Sequence, residues 1–235
     1  MIQNMQDIEK MAMKWGFLPF FECGIKGFSI AEHTPSELWF SDEVDGPWEW
    51  KGPLIGQGSL AYGKIFDKKA GFVSMEWLGH LINYRRAKAV APLTPKEKEV
   101  YDCIIDHQVV LSKELKKLCG FVKPRAPRQN PLEKAMMEEV RLPRKRAKGE
   151  SFDGIITRLQ MSLRVCIADF KYNYDKNGKR YGWGVAEYTT PELMYGDEIV
   201  MPDCSPEESY RRMLRQILQI FPYATEKAVC RLLKI

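Results

Sequence analysis

The chain has 235 residues, is 45% apolar and carries a net charge of +5 at pH 7. That length accommodates one large domain or two small ones, and the apolar fraction is ordinary for a globular protein. No apolar run approaches the roughly 20 residues a membrane span needs, and the polar start, Met1 to Lys14, lacks a signal-peptide core, so neither a membrane nor a secreted protein is indicated. The six cysteines (Cys23, Cys103, Cys119, Cys166, Cys204, Cys230) form no Cys-x-x-Cys pair and read as reduced thiols of a cytoplasmic protein. Cys103 and His107 share a helix face, but two ligands do not make a zinc site, so neither metal nor cofactor is expected.

Residues 1–92 read as a tryptophan-rich α+β module. Residues 3–15 form an amphipathic helix with Ile8, Met11, Ala12 and Trp15 inward. A stretch broken by Gly and Pro follows, with β-like pieces at Leu38–Phe40, Trp48–Lys51, Ala61–Phe66 and Gly71–Val73. Asp67 to Ala70 reads as a hairpin loop, and Ser74 caps a helix from Met75 to Tyr84. Five of the six tryptophans lie here (Trp15, Trp39, Trp48, Trp50, Trp77), as an aromatic core or as a pocket for a stacked base. Glu32 to Glu49 holds six acids and no Lys or Arg, and Asp42, Asp45 or Glu49 beside the tryptophans offers a general base without a visible partner.

Residues 93–190 carry the order of a winged helix-turn-helix with a basic insertion at 122–150. Thr94-Pro95 starts a helix from Lys96 to Gln108 with Val100, Tyr101, Ile104 and Ile105 at helical spacing. Ser112 caps a second, with Leu115 and Leu118 on one face and Gly120 closing it. The insertion contains nine basic residues against three acids between Lys123 and Lys148, and its prolines forbid one continuous helix, though Leu132 to Arg141 suits a short one. A third helix runs from Ser151 to Leu163, with Ile155, Ile156, Leu159 and Leu163 inward and Thr157, Arg158, Gln160 and Met161 on the other side.

The wing is expected as a hairpin with a two-residue type I′ turn at Asn177-Gly178. That turn pairs Tyr174 with Tyr181, Tyr172 with Trp183 and Phe170 with Val185 on one face. Its tip carries Lys176, Lys179 and Arg180, a phosphate contact or a solvated end. Residues 191–235 read as C-terminal helices, started by Thr190-Pro191 and Ser205-Pro206, with Tyr210, Leu214, Ile217 and Leu218 buried, and a last one from Thr225 to Leu233.

Several runs resemble bacterial proteins of the AlkZ-related family over most of residues 5–190. They are Gly46-Pro-Trp-Glu-Trp-Lys-Gly-Pro53, Ala61-Tyr-Gly-Lys64, Lys69-Ala-Gly-Phe-Val-Ser74, Asn83-Tyr-Arg-Arg86, Leu111-Ser-Lys-Glu-Leu115, Thr157-Arg-Leu-Gln-Met161 and Tyr181-Gly-Trp-Gly-Val-Ala186. The resemblance implies a winged-helix architecture distantly akin to the AlkZ DNA glycosylases, which excise alkylated or crosslinked purines. Those enzymes use a Gln-x-Gln or Gln-x-Asp motif, and no glutamine here has that spacing, so no catalytic residue is carried over.

The expected function is a DNA-binding winged-helix protein that does no chemistry, linked to DNA repair, with duplex DNA as partner through Arg141, Arg144, Lys145, Arg146, Lys148, Thr157, Arg158, Lys176, Lys179 and Arg180. A base-flipping glycosylase and a protein-interaction module that binds a protein partner are the alternatives.

Overall fold

Asn4 starts the first helix, α1 (Met5–Trp15), by accepting the Asp7 N–H on its side chain. The computed structural model describes residues 1–41, 43–89, 91–122, 150–178 and 180–234. Strand β1 (Phe17–Pro19) and the short helix α2 (Ile30–His33) follow. The expected strands at Leu38–Phe40 and Trp48–Lys51 do not form. The first region is a 3-10 turn, Ser36–Leu38, and the second lies inside helix α3 (Pro47–Gly56). Its start was encoded: Pro47 occupies the first turn, and Glu49 reaches back to the Gly46 N–H at 3.1 Å. A Cβ on Gly46 would lie 1.7 Å from the Leu38 carbonyl oxygen, so the chain enters α3 only through glycine.

Strands β2 (Leu60–Phe66) and β3 (Lys69–Ser74) pair antiparallel, and β1 joins on the far side of β3. The connection is tighter than the expected four-residue loop. Phe66 pairs with Lys69 across Asp67 and Lys68 alone, both left-handed at φ 47° and 66°. Helix α4 (Met75–Lys88) is longer than expected, and Ser74 precedes it with a buried hydroxyl that bonds nothing among the described residues.

Helix α5 (Pro95–His107) begins with a reciprocal Thr94–Glu97 capping box. Then come β4 (Val110–Leu111), α6 (Ser112–Leu118) and α7 (Phe152–Met161). After them, β5 (Cys166–Tyr174) and β6 (Arg180–Thr189) complete a second antiparallel sheet, ordered β4-β6-β5. Leu115 is buried, but Leu118 is exposed, and Ser112 is the first helical residue rather than the cap. On α7, Ile155, Ile156 and Leu159 are buried as expected, and Leu163 is buried just beyond the helix at φ 54°. Gln160 and Met161 are not on a polar side; both are buried. The expected helix Leu132–Arg141 lies outside the described residues.

The hairpin departs from its expected register. Its pairs are Tyr174 with Arg180, Asn173 with Tyr181, Lys171 with Val185 and Phe170 with Ala186, with shifts at Ile167/Asp169 and Lys171/Asn173. Gly182, at φ 71°, sits within the shifted stretch, where an L side chain would be strained. Asn177 is not left-handed, so no type I′ turn forms; Gly178 N–H instead bonds the Asp175 carbonyl at 3.0 Å. The reason is local: Asp175 Oδ1 takes the Asn177 N–H at 2.8 Å, which favours a longer turn. Tyr172 and Trp183 still converge on α3, one through its hydroxyl to the Trp48 carbonyl and the other ring to ring with Trp48.

Helices α8 (Pro191–Tyr195), α9 (Pro206–Ile220) and α10 (Glu226–Leu233) close the chain. On α9 the fully buried residues are Ser209, Met213 and Ile217, with Tyr210, Leu214 and Leu218 only partly covered. No helix among the described residues is long and apolar enough to cross a membrane. The apolar core has two clusters. One joins α1, α3 and the first sheet to α5, α6, α7 and the second sheet through residues such as Ile8, Leu54, Phe72, Ile104, Leu159 and Tyr188. The other joins β2, β3 and α4 to the C-terminal helices through Phe66, Leu81, Met213, Ile217 and Leu232. At its centre lies Arg85, fully buried, whose guanidinium donates to the carbonyls of Ile65, Met161, Leu232 and Leu233.

Candidate functional site

Where α3, β2, α7 and the second sheet meet, a cleft of about 420 Å³ opens. Its walls carry Phe21, Trp48, Tyr62, Phe170 and Tyr188 together with Lys51, Lys64, Lys68 and Lys69, and contain no carboxylate. Lys64, Lys68 and Lys69 are exposed at the cleft, Lys69 bonding the Glu22 carbonyl at 2.6 Å. The tight Asp67-Lys68 turn is what delivers Lys68 and Lys69 to the same edge.

Lys51 differs from the others. Being one turn along α3 from Trp48, it lies over that ring at 4.7 Å and over Phe170 of β5 at 4.2 Å. The residue is only 7% exposed, and among the described residues no carboxylate or carbonyl bonds its ammonium. Burial pushes its amine down to about 8, with Glu49 acting the other way. The buried Tyr62 hydroxyl is pushed well above its usual value by desolvation, so it stays protonated. Trp48 Nε1 is buried without an acceptor among the described residues, an unmet donor in the same wall.

The helical spacing places Gln160 on the side of α7 opposite its apolar stripe. It lines the cleft instead, its Oε1 taking the Lys64 N–H at 2.9 Å and its Nε2 donating to the Ile156 carbonyl at 3.1 Å. Helical period alone could not place it, because α7 packs against β2 on one side and α5 on the other and so has a wide buried arc. Lys51 was missed for a related reason: read as a strand, its segment alternated faces, whereas the Pro47/Glu49 start signal puts Trp48 and Lys51 on one helical face.

The residues singled out from sequence stand elsewhere. Thr157 donates its hydroxyl to the Asp153 carbonyl at 2.6 Å. Arg158 bridges Glu97 of α5 and Glu150. Burial raises the Glu97 carboxyl, but Arg158 and the Thr94 cap outweigh it and hold the group below the usual range. Arg180 lies over the Tyr172 ring at 4.7 Å and pairs with Asp45 at 2.9 Å and Glu49 at 3.6 Å. Lys176 is exposed in the turn. Arg141, Arg144, Lys145, Arg146, Lys148 and Lys179 lie outside the described residues, as does Asp42. Cys103 and His107 do share a face, Sγ to Nδ1 at 3.7 Å, but no group of three metal-binding side chains occurs among the described residues.

The family model described as AlkZ related matches residues 2–234, and the chain belongs to that family. Among solved structures it is similar to Streptomyces sahachiroi DNA glycosylase AlkZ, with 12% identity and a TM-score of 0.42, over 75% of this chain and 44% of that one. The chain thus spans less than half the length of that protein. Among curated protein sequences none matches significantly.

Proposed function

From its membership of the AlkZ-related family, we propose that the chain is a repair-linked DNA-binding protein that holds a nucleotide of the strand in the lysine and aromatic cleft. The carboxylate-free cleft carries the reading: the three exposed lysines Lys64, Lys68 and Lys69 offer phosphate contacts and five aromatic rings offer stacking faces, the two chemistries a nucleic-acid strand needs. The order α5-β4-α6-α7-β5-β6 and the sheet order β4-β6-β5 support a winged helix-turn-helix, with the hairpin β5–β6 as its wing. In this reading the exposed Lys176 of the wing turn, together with Lys179 and the basic run Arg141, Arg144, Lys145, Arg146 and Lys148, adds sequence-independent affinity. Thr157 is a further contact on α7, whereas Arg158 and Arg180 act by positioning, since carboxylates already engage them. Base excision is not part of the proposal, because no pair of glutamines has the required spacing.

The test is anisotropy of a labelled duplex at stepped salt, with tryptophan fluorescence followed in parallel. Salt-sensitive binding with quenching that disappears in Trp48→Phe is expected. Absence of binding at low salt overturns the reading, and binding that leaves tryptophan emission untouched removes the cleft from it.

A further inference from the structure

We propose that the Lys51 amine captures the aldehyde of an abasic deoxyribose in DNA as an imine. The inference rests on reading the cleft as a nucleotide site, and adds a covalent chemistry to it.

Three observations converge on Lys51. It is a lysine almost fully withdrawn from water, yet it lines an open cleft. Its ammonium is held by ring faces and by no carboxylate or carbonyl among the described residues, so nothing must be broken before the nitrogen is used. A structural buried lysine ordinarily has an ion-pair or hydrogen-bond partner, because an unpaired buried charge is costly. The third observation is desolvation: at about 8 the amine is half neutral at pH 8, against about one part in three hundred for an ordinary lysine. Only the neutral amine attacks carbonyls, and a lysine desolvated in an apolar pocket is one recognised form of activated nucleophile.

The cleft also suits the substrate. A base-free sugar leaves its neighbours to stack on Trp48 and Phe170, while Lys64 and Lys68 stand where flanking phosphates would be neutralised. In the reaction the lysine nitrogen adds to the C1′ carbonyl carbon of the open-chain sugar. The carbonyl oxygen then leaves as water with both amine protons, and a C=N bond replaces C=O. No electron is gained or lost, and no co-reactant is required. The substrate must come from a reaction that hydrolyses an N-glycosidic bond, so the chain would act after base loss.

The experiment mixes the full chain with a duplex carrying one abasic site, adds sodium borohydride to reduce any imine to a stable amine, and separates covalent adducts on a denaturing gel. Anisotropy of the same duplex without borohydride runs alongside. A covalent adduct is expected for the wild type and for Lys227→Met, an exposed lysine of α10 outside the cleft, and its loss in Lys51→Met. Methionine preserves the length of the buried side chain, and circular dichroism checks that the variant is folded. An adduct that persists in Lys51→Met overturns the proposal. Binding of the abasic duplex without any adduct also overturns it while leaving the nucleotide-site reading intact. Failure of both binding and trapping overturns the two together.

Discussion

Lys51 concentrates the energetics of the cleft in one side chain. Its folded-state amine titrates at about 8, below the ordinary lysine value, so the unfolded chain binds more protons between pH 8 and 10.5, and stability rises with pH across that window. Below it the penalty is present in full, at most about 3 kcal/mol from the size of the shift, and reduced by ring contacts worth about 0.5–2 kcal/mol each. Lys51→Met is therefore expected to be more stable than wild type at pH 7, with the gap closing toward pH 10. Urea melts at several pH values measure it; a gap independent of pH would mean the amine is not titrating with folding. Arg85 is the opposite case. Its removal orphans four buried carbonyls from β2, the end of α7 and α10, so Arg85→Ala is expected to cost about 3–5 kcal/mol. Lysine cannot replace a fork that serves three elements at once, and a thermal melt in which Arg85→Lys matches wild type would contradict that account.

At the scale of elements, two devices hold the helices and strands that frame the cleft. The Glu97–Arg158–Glu150 cluster braces α5 against α7. Because Glu97 is held low, its contribution is present above the ordinary carboxylate range and is lost as pH falls through its folded-state value. Arg158→Ala is expected to lower stability by about 1–3 kcal/mol at neutral pH, with the deficit fading in acid and the salt dependence of DNA binding little changed. A large drop in salt dependence would make Arg158 a phosphate contact instead. The second device is the Asp67-Lys68 turn, where both residues adopt left-handed backbone without a glycine. Lys68→Gly is expected to be neutral or to stabilise by up to about 1 kcal/mol, since it relieves that backbone cost. The same change removes a cleft lysine, so DNA affinity should fall while the melting temperature holds.

For the whole molecule, charge placement governs association. The segment from Lys123 to Lys148 holds nine basic residues and three acids, a net of +6 against +5 for the entire chain, so the rest sums to −1 and is close to neutral. Changing Arg144, Lys145 and Arg146 to Ala is expected to flatten the slope of log K against log salt by up to about 2.7 without altering the melt. An unchanged slope would remove this run from the DNA-binding account.

Helix starts were legible because they are local: Thr94 and Glu97, Ser205-Pro206 and Thr190-Pro191 specify their own backbone bonds within one turn. The buried stripe of Ile155, Ile156 and Leu159 was legible for the same reason, since its period belongs to a single helix. The Trp48–Lys51 segment misled because alternating aromatics outweighed a proline and a returning glutamate that point to a helix. The hairpin register slipped because an Asx bond at Asp175 and a left-handed Gly182 displaced the pairing that Asn177-Gly178 would have set. The cleft itself is a meeting of residues more than 100 positions apart, such as Trp48 and Lys51 with Phe170 and Tyr188. Sequence alone determined the family, the α+β content and the order of most elements, all carried by neighbours along the chain. Only tertiary packing decided that one lysine would be desolvated between two rings and that Arg158 and Arg180 would face carboxylates, because burial and charge pairing depend on what distant segments bring.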